Sequence, residues 1–181
     1  MLARRSAAKA DWDDLRRALM WEPRGHADMY GCLVTPPVTE NADIGVLFMH
    51  NEGFSTMCGH GIIGATRIVL EIGLLEMSDP VTPVGIDTPA GFVQAYARVE
   101  AGRVTSVYFQ NVPSYVVDLD AEVDVPGMGP IRYDLAFGGA FYAFVDAEDL
   151  GLGLFPSDTP ELIAAGRAIK AAVVEARPLE H

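Results

Sequence analysis

Apolar residues recur along this chain with two different periods. Between Ile62 and Leu74 they fall on nearly every side of a helix, at Ile62, Ile63, Ala65, Ile68, Val69, Leu70, Ile72 and Leu74, interrupted mainly by Arg67 and Glu71. A helix that is apolar all round belongs inside a protein, so the pattern predicts a buried central helix over about 58–75. Upstream, Trp12, Leu15 and Leu19 share one face of a peripheral helix that Asp11 can cap, with Asp14 in its opening turn and an end before Pro23. Tyr30–Thr35 and Ile44–Met49 have the β-branched, aromatic and apolar content of strands, and Pro36-Pro37 stops the first. Beyond Pro80 the texture changes to short strands over 81–86, 91–99, 104–110, 114–119, 131–135 and 140–145, with Glu100-Ala101-Gly102-Arg103 as a hairpin loop. A last helix opens near Ser157, where Thr159 can cap, Pro160 suits the first helical position and Glu161 the first turn. No repeat, low-complexity tract or linker intervenes. The elements predict an α+β unit in which a curved, antiparallel-rich sheet is wrapped around the central helix.

Composition narrows what such a unit does. With 181 residues, half of them hydrophobic, the chain can bury a proper core. A net charge of −12 disfavours nucleic acid and anionic membrane as partners and favours a small-molecule substrate. Apolar runs are broken well short of the ~20 residues that span a bilayer, and Met1 to Lys9 lacks the apolar core of a signal peptide. Two cysteines, Cys32 and Cys58, make no disulfide framework, so the expected location is the cytoplasm. The terminal Leu179-Glu180-His181 reads as a cloning remnant or the cut end of a longer chain. Lys9 and Lys170 are the only lysines and leave a pyridoxal Schiff base without an anchor, so chemistry on an amino acid is expected to need no cofactor.

The chemistry concentrates in Met57-Cys58-Gly59-His60-Gly61-Ile62-Ile63-Gly64. The first N–H groups of a helix are unpaired and carry partial positive charge, so a thiol set there is favoured as the thiolate. The same donors, on Gly59, His60 and Gly61, can hold a substrate carboxylate, because glycine lets a ligand approach the backbone. From Gly25 through Thr66 there is no Lys or Arg, which leaves the helix end and His60 as the local groups able to activate Cys58. The residues alone leave Cys58 open between an acid/base thiol and a buried structural one. Cys32, among apolar residues in a strand, reads as core filler. Cys-x-His offers two ligands where structural zinc takes four, so no metal is expected. Gly59-x-Gly61-x-x-Gly64 also matches the dinucleotide pattern, with Asp79 downstream, but a dinucleotide-binding oxidoreductase needs a repeating βαβ unit, and the later strands read as antiparallel. His26, His50, Glu52 and the segment Glu22–His26 read as structural.

That motif, together with Glu22-Pro23-Arg24-Gly25-His26-Ala27-Asp28-Met29-Tyr30-Gly31 and Phe48-Met49-His50-Asn51-Glu52-Gly53, resembles the proline racemase family, from about Leu15 to the end. The resemblance implies one half of a diaminopimelate epimerase-like enzyme: residues 1–181 as a single N-terminal-type domain of a normally two-domain protein, with the opening strand and the second domain absent. It implies that Cys58 and His60 are catalytic and that the amides of Gly59 and His60 bind the carboxylate of proline or a hydroxyproline without a cofactor. A second cysteine from the other half would give racemisation or epimerisation, and a threonine there dehydration of trans-3-hydroxy-L-proline. The isolated chain is expected to turn over little, and its exposed half-interface to favour a homodimer. The competing expectation is a non-catalytic carboxylate-binding half-domain.

Overall fold

The computed structural model describes residues 1–177, and Leu179–His181 lie outside them. The chain divides into two compact units, Met1–Pro113 and the residues from Ser114 onward.

The first unit is built on a six-stranded sheet: β1 (Tyr30–Thr35), β2 (Ile44–His50), β3 (Gly53–Ser55), β4 (Val81–Thr88), β5 (Gly91–Glu100) and β6 (Arg103–Gln110). The order is β1-β2-β4-β5-β6, and β3 adds to β2. Every pairing is antiparallel except β2 with β4, which run parallel over Ile44–Gly45 and Ile86–Asp87. The β5–β6 hairpin turns at Ala101 and Gly102, both at positive φ, the backbone that matches the twist of paired strands. The central helix α3 (Gly59–Glu71) packs against β1, β5 and β6. Because β1 and β6 are the outer strands of the path, a sheet that reaches one helix from both edges must curl around it. Val93, Ala95, Ala97 and Val99 alternate along β5 and are buried, and α3 buries Ile62, Ala65, Thr66, Val69 and Leu70.

The helix ends earlier than its pattern predicts and is less enclosed. Ile72 caps it and Gly73, at φ 75°, turns the chain. Gly73 N–H bonds to Leu70 and Leu74 N–H to the Val69 carbonyl, which closes a Schellman motif. Ile63, Ile68, Ile72 and Leu74 are exposed, so one face of α3 meets the sheet and the opposite apolar face does not.

Two helices precede the sheet. Asp11 does not cap a helix but closes α1 (Leu2–Asp11), and Trp12 caps α2 (Asp13–Met20). The apolar triplet that suggested the buried side of α2 is exposed at Trp12, Leu15 and Leu19, while Arg16 and Met20 are buried. Arg16 can go inside because its guanidinium donates to the carbonyls of His50 (2.7 Å) and Asn51 (2.5 Å) and to Asp13 (2.7 Å), which satisfies its charge and its donors. The α1 segment shows little apolar periodicity because only Ala8 is buried, against Leu47 and Phe54.

The second unit is a three-stranded antiparallel meander, β7 (Tyr115–Val125), β8 (Gly129–Phe137) and β9 (Phe141–Phe144), covered by α4 (Thr159–Ala176). Val123, Val125, Ile131, Tyr133, Leu135, Ile169, Ala172 and Val173 form its core. β7 runs six residues past its expected end. Register shifts between Val116 and Asp118 and between Asp118 and Ala121, with Asp120 at φ 52°, break the alternation by which a strand is recognised. At the start of α4, Asp158 takes the cap position and Thr159 the first helical one, its hydroxyl donating to the Pro156 carbonyl at 2.9 Å. The antiparallel meanders were legible, and their division between two sheets was not.

Candidate functional site

The start of α3 is fixed from below by the β1–β2–β3 corner. Cys32 pairs with Phe48 and Phe48 with Ser55, so these three side chains leave the sheet on one face. Leu33, Leu47, Met49 and Phe54, the alternate residues, pack with Ala8 on the other. The Asn51–Gly53 turn that joins β2 to β3 is anchored to α2. Asn51 Nδ2 donates to the carbonyls of Met20 and His26, and the Trp21 indole donates to the Asn51 carbonyl. The carbonyls that Arg16 holds, on His50 and Asn51, lie where β2 passes into that turn. The segment Glu22–His26 joins this anchoring through the His26 carbonyl.

Cys58 occupies the N-cap of α3 in extended backbone, φ −152° and ψ 113°. Its carbonyl accepts the Ile62 N–H at 3.0 Å, and its sulfur accepts the Gly61 N–H at 3.4 Å. The N–H groups of Gly59 and His60, the first two of the helix, have no acceptor among the described residues. Of the three amides expected to form a carboxylate cradle, two stand open and the third, Gly61, serves the sulfur. Cys58 is half-buried. The His60 side chain is exposed and makes no hydrogen bond among the described residues, so no hydrogen bond joins imidazole to thiol.

The walls around this turn are apolar and close. A Cβ added at Gly59 would sit 3.2 Å from Phe109 Cζ, so the Phe109 ring lies against Gly59. One added at Gly61 would sit 2.7 Å from Phe48 Cδ1 and 2.8 Å from Cys32 Sγ. Backbone and ring approach so closely that only glycine fits, which puts aromatic carbon and a second sulfur against Gly61. Ser55 Oγ is buried on the same face with no hydrogen-bond partner among the described residues. Burial pushes the Cys32 thiol up to about 11, with Cys58 adding to the shift, so Cys32 is a neutral S–H at ordinary pH.

Cys58, Gly59, His60 and Gly61, named from the sequence, lie on one turn; Cys32, read there as core filler, borders it together with Phe48, Ser55 and Phe109, which the sequence did not single out. The missing signal is register. Nothing in the order of residues tells which face of β1 the Cys32 side chain takes. Among the described residues, no three His, Cys, Asp or Glu side chains converge as a metal site, and no helix is long and apolar enough to cross a membrane. The strand that feeds α3, β3, runs antiparallel to β2, so the glycine pattern does not open a repeated parallel βαβ unit.

Comparison with known proteins adds the following. The family profile described as proline racemase matches residues 1–181. A trans-3-hydroxy-L-proline dehydratase of Colwellia psychrerythraea is 45% identical over 181 residues, 100% of this chain and 51% of the relative. A 3-hydroxyproline 2-epimerase of Burkholderia multivorans is also 45% identical over the whole chain and is covered to 54%. The crystal structure of a hydroxyproline epimerase from Agrobacterium vitis, with bound trans-4-hydroxy-L-proline, superimposes with a TM-score of 0.87 at 36% identity, over 93% of this chain and 49% of that one. The chain spans about half the length of the relatives it matches.

Proposed function

The chain belongs to the proline racemase family, and from that membership we propose that it carries the Cys58 half of a cofactor-independent active site that removes the Cα proton of proline or a hydroxyproline. The observation that carries this reading is the single turn in which Cys58 Sγ accepts the Gly61 N–H while the Gly59 and His60 N–H groups find no acceptor.

The chemistry follows from those positions. The substrate carboxylate binds the two open amides at the positive end of α3. The Cys58 thiolate, held by the Gly61 N–H, takes the Cα proton, and the electron pair left behind delocalises into the carboxylate. Charge therefore grows on the group that the amides already hold, and donors placed where charge develops lower the barrier most. Phe48 and Phe109 set aromatic carbon against Gly61 and Gly59, and a less polar surrounding strengthens hydrogen bonds to a growing charge. The proton returns on the opposite face, giving racemisation or epimerisation, or the 3-hydroxyl leaves, giving dehydration. His60 takes part through its amide. The two relatives named above, a dehydratase and an epimerase, frame these outcomes. No metal or nucleotide enters the scheme, and the two free thiols fit a cytoplasmic setting.

The test is exchange in deuterated water. Full-length protein carrying these residues is incubated with L-proline and with trans-3-hydroxy-L-proline, beside a Cys58→Ser variant. Deuterium at Cα or loss of water is expected, reduced about 10²–10⁴-fold in the variant; equal rates in both proteins would overturn the assignment. A second reading, a carboxylate-binding module without catalysis, draws on the fact that base and cradle lie on one turn of one chain. Tight binding of pyrrole-2-carboxylate together with no exchange would favour it.

A further inference from the structure

Cys32 belongs to no step of that scheme, yet it reaches the same turn from below. Its sulfur lies 2.8 Å from where a Gly61 Cβ would be, and the Gly61 N–H lies 3.4 Å from Cys58 Sγ. One residue therefore touches both sulfurs, and ordinary bond lengths place them within about 9 Å of each other. Both thiols are free and half-buried. Cys58 ends the short link from β3 and is followed by Gly59 and Gly61, whose backbones resist adjustment least. Cys32 is held in a paired strand, in register with Phe48.

We propose that Cys32 is the resolving thiol of Cys58: under peroxide the two close an intramolecular disulfide that ties up the reacting sulfur beneath the first turn of α3. The proposal rests on the catalytic reading only for its functional consequence. The chemistry has two steps. The Cys58 sulfur attacks the peroxide, the O–O bond breaks, and Cys58 sulfenic acid and one water result. The Cys32 sulfur then attacks the Cys58 sulfur, the S–S bond forms as the S–O bond breaks, and the Cys32 proton leaves with the second water. Two thiols have lost two electrons to the peroxide. Because burial holds the Cys32 thiol up near 11, the second step is slow at neutral pH and quickens as the solution becomes alkaline. A thiol reductant reverses it.

The 181-residue chain suffices for the test. It is treated with hydrogen peroxide, alkylated without reduction and weighed intact. Closure predicts a mass loss of ~2 Da with both thiols unavailable. Trypsin cannot localise the bond, because no Lys or Arg lies between Gly25 and Thr66, but cleavage after Glu40 and Glu52 separates the cysteines and leaves a linked pair of peptides. Cys32→Ser predicts a gain of ~16 Da at Cys58, trapped by dimedone, in place of the loss. Sulfinic acid at Cys58 with Cys32 still alkylatable, bonds between two chains, or no oxidation would each overturn the proposal, and the wild-type map alone decides if the variant fails to fold. Pyrrole-2-carboxylate titrated before and after oxidation reads the consequence separately. A chain that closes the bond but never bound the mimic would keep the disulfide and sink the function.

Discussion

At the turn where α3 begins, glycine is required for space and not for backbone freedom. Gly61 has ordinary helical backbone, outside the positive-φ positions, but its missing Cβ would overlap the Phe48 ring at 2.7 Å and the Cys32 sulfur at 2.8 Å. Phe48 is fully buried and has nowhere to go. Gly61→Ala is therefore expected to cost about 1–3 kcal/mol, the usual penalty of overpacking a closed core. Cys32→Ala in the same chain should recover part of it by vacating one of the two contacts. Urea unfolding of the parent, both single variants and the double variant measures the coupling, and a Gly61→Ala chain as stable as the parent would disprove the packing. This residue also marks the limit of what the sequence could say. The motif around Cys58 was legible because glycine spacing and a capping position are local. That Cys32 sits beneath it depends on the pairing of β1 with β2, which local sequence does not encode.

At the scale of elements, boundaries were lost where polar side chains replaced apolar ones as anchors. The inward face of α2 carries Arg16, so hydrophobic spacing pointed to the wrong side. β7 extends through the Asp118–Asp124 stretch because bulges restore its pairing after each break. The end of β4 offers a third case. Asp87 is buried, and its carboxylate accepts the N–H groups of Val38 (2.6 Å) and Thr39 (2.7 Å) and the Thr39 hydroxyl (2.9 Å), fixing the loop between β1 and β2. Burial by itself raises the acid, but the three donors outweigh it and hold Asp87 below the usual carboxylate range. A depressed folded value means that the stabilisation is present above the ordinary carboxylate pKa and is lost as pH falls through the folded one. Asp87→Asn keeps the shape and removes the charge, and about 2–4 kcal/mol should be lost at pH 7. On acidification the gap between parent and variant should close, as read by urea midpoints across the acid range. A gap that is constant with pH would show that Asp87 contributes through shape alone.

For the molecule as a whole, the α+β class and the curled sheet around a central helix followed from periodicity, and the split at Pro113 did not. Both meanders have the same texture in sequence, and only the pairing partners distinguish one sheet from the next. The two units still share one property, exposed apolar surface. In the first, Ile68 on the outer face of α3 and Ile72 and Leu74 just past its end stand 57%, 71% and 57% exposed; in the second, Leu154 and Phe155 are exposed beside a groove of about 550 Å³ between β8, β9 and α4. Apolar patches of this kind favour association, whereas a net charge of −12 opposes it. The balance should respond to salt. Screening weakens the long-range repulsion and leaves the apolar contact intact, so sedimentation velocity is expected to show association that grows with protein concentration and with ionic strength. Ile68→Lys with Ile72→Lys places two charges in the α3 patch while leaving its buried face untouched. The double variant should return towards the monomer at every salt concentration. Association that weakens with salt would assign the contact to ion pairs, and association unchanged in the double variant would move it away from α3.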